Sequence, residues 1–141
     1  MVFTVQKEGA DRMRAKVDSD GYSSFSVLCQ SFYAIKRLFD LPPSCFWPEP
    51  RVTSSVISVT PLADPVAPAD RALYLEVVRA LFASRRKTVL NNLKASGREQ
   101  GLIRRALEAA RVDPGVRAET LAPKDICRIA DALSLTGKVP L

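Results

Sequence analysis

The chain has 141 residues, 47% of them hydrophobic and 26% charged, with a formal net charge of +6. That length can bury one core or two small ones, and no apolar run approaches the ~20 residues of a membrane-spanning helix. Histidine is absent, and Cys29, Cys45 and Cys127 lie apart without CxxC spacing, so the ligand sets of zinc centres and the imidazole of many mechanisms are missing.

Residues 1–5, MVFTV, form a short apolar run of strand character with no turn or cap before it, as though the chain opened inside a sheet. Alone, such a strand leaves unpaired backbone groups. Residues 6–16 read as a charge-rich helix with Ala10, Met13 and Val17 on one face. Gly9 inside it costs about 1 kcal/mol relative to alanine. Residues 18–24, DSDGYSS, are a turn. From there Phe25, Leu28, Cys29 and Phe32 recur at helical spacing and predict a buried helix. Strand is the competing reading, because Val27 and Tyr33 blur the period. Residues 35–41 alternate and predict a strand.

Residues 42–50, PPSCFWPEP, hold four prolines in nine positions. Each ring fixes φ and removes a donor, so the segment is a stiff loop. Phe46 and Trp47 stand inside it. Residues 52–60 are dense in Val, Ile, Ser and Thr, a strand signature, and predict an antiparallel neighbour for residues 35–41. A rigid aromatic loop feeding a buried strand can present a flat ring at a fixed place. The competing reading is that the two aromatics only staple the loop to the core.

Residues 61–69, PLADPVAPA, carry three prolines and mark a linker. Asp70 caps a helix predicted to run to Ser84, with Leu73, Val77, Ala80 and Leu81 as its buried stripe. Arg85, Arg86 and Lys87 form a basic corner, and a short helix follows over residues 88–95 until Ser96-Gly97 breaks it. A third helix over 98–111 buries Leu102, Ile103, Ala106 and Ala110. Asp113-Pro114-Gly115 is a turn, and Pro123 opens a last helix that packs Ile126, Ile129, Ala130 and Leu133. Residues 134–141 are expected to fray.

Charge is unevenly spread. Residues 1–70 carry 7 Lys/Arg against 8 Asp/Glu, and residues 71–141 carry 14 against 7. The basic excess lies wholly in the second half, which points to a polyanionic partner. Arg85, Arg86, Lys87, Lys94, Arg104 and Arg105 are the candidate phosphate contacts, Arg suiting bidentate bonds and Lys a point charge. Asn91 and Asn92 could add hydrogen bonds, or simply solvate the helix. A solvated face is the competing reading of the whole run.

Several of these segments carry a resemblance. The pattern Pro-Pro-Ser-x-Phe-x-Pro-x-Pro-x-Val-x-Ser-x-Val from Pro42, together with SRRKTVLNNL (84–93), MVFTVQKEGADR (1–12) and RAETL (117–121), resembles the ribosomal RNA adenine N6,N6-dimethyltransferases (dimethyladenosine transferases). The resemblance implies an α/β followed by an all-α arrangement. Residues 1–62 would be the terminal strands and helices of a Rossmann-like methyltransferase sheet, 63–69 a Pro-rich linker, and 70–141 a basic helical RNA-binding domain. It matches Phe46 to the aromatic that stacks on the flipped target adenine. It implies methyl transfer from S-adenosylmethionine to two adjacent adenines of small-subunit rRNA, in the cytoplasm. Three unpaired thiols and no secretory leader agree with that compartment.

The family's glycine-rich cofactor turn and its Asn-Leu-Pro-Tyr have no counterpart here. The chain therefore reads as the C-terminal half of such an enzyme, from a truncated, split or mis-started reading frame, with a missing N-terminal half, no cofactor ligand of its own and no activity alone. Two rivals stand beside this: a stand-alone rRNA-binding module in a pre-ribosomal particle, and a DNA-binding helical protein.

Overall fold

A computed structural model describes residues 1–136, which form two compact units dividing after Pro65. In the first, β1 (Val2–Gln6) and β2 (Tyr33–Leu41) each pair antiparallel with β3 (Ser54–Pro61), in the order β1-β3-β2. β1 and β2 therefore run in one direction with the last strand reversed between them. β3 takes the centre because Val56, Ile57 and Val59 bury on both of its faces, whereas β2 carries exposed Lys36 and Arg37. The sheet's core is Ala10, Ile57 and Val59, with Val5, Met13 and Ile35 packed against it. β1 lies at an edge of this three-stranded sheet.

Two helices precede β2, and both depart from the sequence reading. α1 (Lys7–Met13) stops three residues early. Side chains of α2 (Ser24–Phe32) take the carbonyls there: Ser26 Oγ donates to Arg12 O, and Gln30 Nε2 donates to Met13 O at 2.9 Å and Ala15 O at 2.8 Å. Val17 consequently leaves the buried face. In α2 the stripe Phe25, Leu28, Cys29 and Phe32 is only partly covered, and Ser26, Val27 and Ser31 are buried instead. Hydroxyls on that face are tolerated because each bonds a backbone carbonyl. β3 begins at Ser54, so Val52 stays in the exposed bend after Pro50.

The second unit is a helical array. α3 (Arg71–Leu81) is capped by Asp70, whose carboxylate accepts from Leu73 N at 3.1 Å. It buries Tyr74, Val77, Val78 and Leu81, a stripe turned by one residue from the predicted one; Leu73 and Ala80 are half-buried. α4 (Val89–Ala95) is capped by Thr88, and α5 (Gln100–Ala109) buries Ile103, Ala106 and Leu107. α6 (Pro123–Thr136) buries Ile126, Ile129, Ala130 and Leu133, as the spacing predicts. It continues past Ser134, where fraying was expected; residues 137–141 lie outside the described residues. No helix among the described residues is long and apolar enough to cross a membrane.

Candidate nucleic-acid interface

In the first unit the proline loop hangs from the paired ends of β2 and β3. Leu41 still pairs with Ser54, and Asp40 lies opposite Ser55 after a register shift between Arg37 and Phe39. The buried Ser55 hydroxyl donates to Asp40 Oδ1 at 2.6 Å, and Arg37 Nη1 lies 3.2 Å from Asp40 Oδ2. The Ser55 hydrogen bond, and after it the Arg37 and Lys7 charges, hold the Asp40 carboxyl below the usual aspartate value, against some desolvation. This clamp joins the two strands where the loop leaves them.

Beyond the clamp, Pro43–Cys45 make one 3-10 turn, with Cys45 N donating to Pro42 O at 3.0 Å and Phe46 N to Pro43 O at 3.2 Å. Phe46 is half-buried and Trp47 is 96% exposed. The two rings thus do different things: Phe46 rests on protein, and Trp47 packs on nothing. A staple made by both aromatics is excluded for Trp47.

The second unit carries the basic residues. Arg85, Arg86 and Lys87 are exposed in the turn between α3 and α4. Arg85 Nε is 3.3 Å from Glu119 Oε2, while Arg86 and Lys87 have no ion-pair partner among the described residues. Lys94, Arg104 and Arg105 are exposed on α4 and α5; Arg105 Nε donates back to Gly101 O at 3.4 Å. Asn91 is exposed, but Asn92 is 2% exposed, so solvation is not its role. Its Nδ2 donates to Leu81 O at 2.8 Å and Ser84 O at 2.9 Å, and its Oδ1 accepts from Ser84 N at 3.2 Å. Three bonds from one buried amide tie down the strand of backbone that leads into the basic corner.

Two arginines that spacing did not single out belong to the same neighbourhood. Val89 N donates to Val116 O at 2.8 Å and Leu90 N to Pro114 O at 3.4 Å, so the segment after α5 closes over the start of α4. Exposed Arg111 and Arg117 flank that segment, and Arg111 shares a surface hollow with Arg104, Glu108 and Asp113. Only a tertiary contact brings them towards the corner. For Asn92 a signal did exist, because it falls on the buried period of α4 with Val89 and Leu93.

Residues 1–135 match the family described as ribosomal RNA adenine dimethylase. The ribosomal RNA small subunit methyltransferase A of Geobacillus thermodenitrificans is 40% identical over 138 residues, covering 94% of this chain and 47% of the relative. That of Treponema denticola is 37% identical over 136 residues, covering 94% and 46%. Among solved structures, a dimethyladenosine transferase from Plasmodium falciparum superposes with a TM-score of 0.78 at 21% identity, over 96% of this chain and 57% of that one. A 23S rRNA methyltransferase gives 0.57 at 20%, over 94% and 54%. At these identities the two structures establish likeness of fold alone. The chain spans about half the length of the curated relatives it matches. With the family match running through nearly all of its residues, the chain belongs to the ribosomal RNA adenine dimethylase family.

Proposed function

We propose that this chain is the C-terminal half of a small-subunit rRNA adenine N6,N6-dimethyltransferase, the half that engages the target base and the RNA. Residues 1–62 are then the closing strands and helices of a Rossmann-like methyltransferase sheet. A linker over 63–69 leads to a basic helical RNA-binding domain over 70–141. The observation that carries this reading is the half-buried Phe46 ring, framed by prolines beside the Asp40–Ser55 clamp. A base taken out of its stack needs such a flat apolar surface, worth about 1–3 kcal/mol. Arg86 and Lys87, exposed beside the ion-paired Arg85, supply phosphate contacts, with Lys94, Arg104 and Arg105 extending them.

S-adenosylmethionine would supply the methyl group in a complete enzyme. The described residues do not fit it. A cofactor cradle needs a glycine-rich turn between a strand and a helix, yet β1 runs straight into α1. Gly9 sits inside that helix with open space where a Cβ would stand, so it makes room for nothing. No step of methyl transfer is assigned to these side chains. The same observation favours a second reading, a stand-alone module that holds rRNA without modifying it.

Joining this chain to the remaining part of the Geobacillus relative and measuring methylation of small-subunit rRNA tests the proposal. Phe46→Ala should lower kcat roughly 5- to 150-fold, the equivalent of one lost stacking face, with RNA affinity nearly unchanged. Phe46→Tyr should be mild, since the ring survives. Equal turnover for Phe46→Ala and the parent would make Phe46 a packing residue. RNA binding without any methyl transfer would favour the module.

A further inference from the structure

Trp47 is the most exposed large apolar side chain among the described residues, at 96%. Tryptophan is a residue that folding normally buries in large part, and the packing of the first unit makes no use of this one. The loop that carries it is stiff. Pro42, Pro43, Pro48 and Pro50 each fix φ, and Cys45 N and Phe46 N donate back to Pro42 O and Pro43 O. The direction of the indole relative to Phe46 decides what it can hold. Phe46 has an extended backbone, φ −120° and ψ 152°, and successive side chains of an extended chain point to opposite sides. Burial agrees, since half-buried Phe46 rests on protein while Trp47 stands in solvent. Rings facing opposite ways cannot clamp one base between them. Each can take a base of its own.

The surroundings narrow the occupant. Ser44, Cys45, Glu49 and Arg51 are the exposed residues of the loop besides its prolines and Trp47 itself. The indole is therefore one flat apolar surface among polar groups, not part of the broad patch that a protein partner covers. Glu49 and Arg51 bring one charge of each sign, so the loop does not draw phosphate by net charge. What it offers is the face of a ring, which any unpaired base can cover. We propose that Trp47 is a second stacking platform, holding the unpaired nucleobase that neighbours the one received by Phe46. This inference rests on the dimethyltransferase reading above. Stacked on the indole, the neighbouring nucleotide is fixed, and the target swings onto Phe46 from a strand that is already held.

Trp47 is the chain's one tryptophan, so indole fluorescence reports on this place alone. Titration with a short single-stranded oligoadenylate should quench the emission saturably. The quenching should persist at a salt concentration high enough to suppress phosphate contacts. The same strand paired with oligouridylate should quench far less, because its bases are already stacked in a duplex. At that salt, with a labelled oligoadenylate, Trp47→Ala should weaken binding roughly 5- to 150-fold. Trp47→Leu should weaken it as much, being apolar but not flat, whereas Trp47→Phe should keep most of the affinity. The ring stands in solvent, so none of the three should move the unfolding transition. Emission unmoved by oligoadenylate, equal quenching by the duplex, or parental affinity in Trp47→Leu overturns the proposal. Emission that shifts with phosphatidylglycerol vesicles and not with RNA also overturns it, by making a lipid surface the occupant. Low-salt binding on the same preparations separates the two readings. Unmoved emission with salt-dependent RNA binding intact removes the second platform and leaves Phe46 and the basic corner standing; no RNA binding at any salt removes both.

Discussion

Asp40 and Asn92 are the two polar residues whose settings matter most for where other groups stand. Asp40 accepts from buried Ser55 and sits beside Arg37, and its carboxyl titrates below the usual value for that reason. A carboxyl with a lowered folded pKa adds stability above its unfolded value of about 4, and that stability drains as the pH falls through the folded one. Chemical denaturation followed by circular dichroism should therefore show the first unit losing stability on acidification below pH ~4. Ser55→Ala should make that loss smaller, since it removes the leading cause of the shift. An identical pH profile in the variant would mean the Ser55 bond does not favour the charged carboxylate. Asn92 makes no such electrostatic statement. Replacing it with Ala strands the Leu81 carbonyl and the Ser84 N–H, while Ser84 O keeps its bond from Lys87 N, at a cost of about 1–3 kcal/mol by thermal unfolding. A change below about 0.5 kcal/mol, within the scatter of surface substitutions, would mean that water replaces the amide at no cost.

Among the elements, α5 ends in an unusual way. Arg111 N donates to Glu108 O at 3.0 Å and Val112 N to Leu107 O at 2.9 Å, with Arg111 at φ 59. That is the Schellman pattern, with buried Val112 over Leu107, and glycine is its preferred residue at the left-handed position. Arginine pays for that backbone, and its side chain is exposed in the hollow with Arg104. Arg111→Gly should raise stability by about 0.5–1 kcal/mol in denaturant unfolding, whereas Arg111→Ala should not, because it keeps a Cβ in the strained conformation. The same variant should weaken RNA binding if the left-handed arginine is retained for phosphate. A gain in stability with RNA affinity unchanged would leave Arg111 without a role.

On the scale of the whole chain, the basic excess and the sheet lie in different units. If residues 70–141 track RNA phosphates, binding should depend steeply on salt, because each neutralised phosphate releases condensed counterion. With four to six contacts the slope of log K against log salt is about −3 to −5. Arg85 is already paired with Glu119, so replacing Arg85, Arg86 and Lys87 together by Ala should flatten the slope by roughly 2 units and not 3. The exposed Arg85 pair contributes at most about 1 kcal/mol, so the fold should survive. Binding that is weak and flat in salt, or unchanged in the triple variant, would reduce the corner to a solvated face.

Composition, proline placement and periodicity determined a good deal by themselves. They place the stiff loop around Phe46, three strands with the last one antiparallel, the cap at Asp70, and the basic second half, because each depends on residues adjacent in the chain or one helical turn apart. The proline motif carried the family for the same reason: it is a contiguous run. Other features needed the tertiary structure. α2 buries Ser26 because its hydroxyl reaches the Arg12 carbonyl of α1, and α1 ends where Gln30 takes the Met13 carbonyl. Asn92 turns from a surface amide into a clamp because Ser84 folds back over it, and Arg111 and Arg117 approach the basic corner only through the closure of 113–116 over α4. Each of these depends on a partner many residues away, and no local spacing encodes a partner's position.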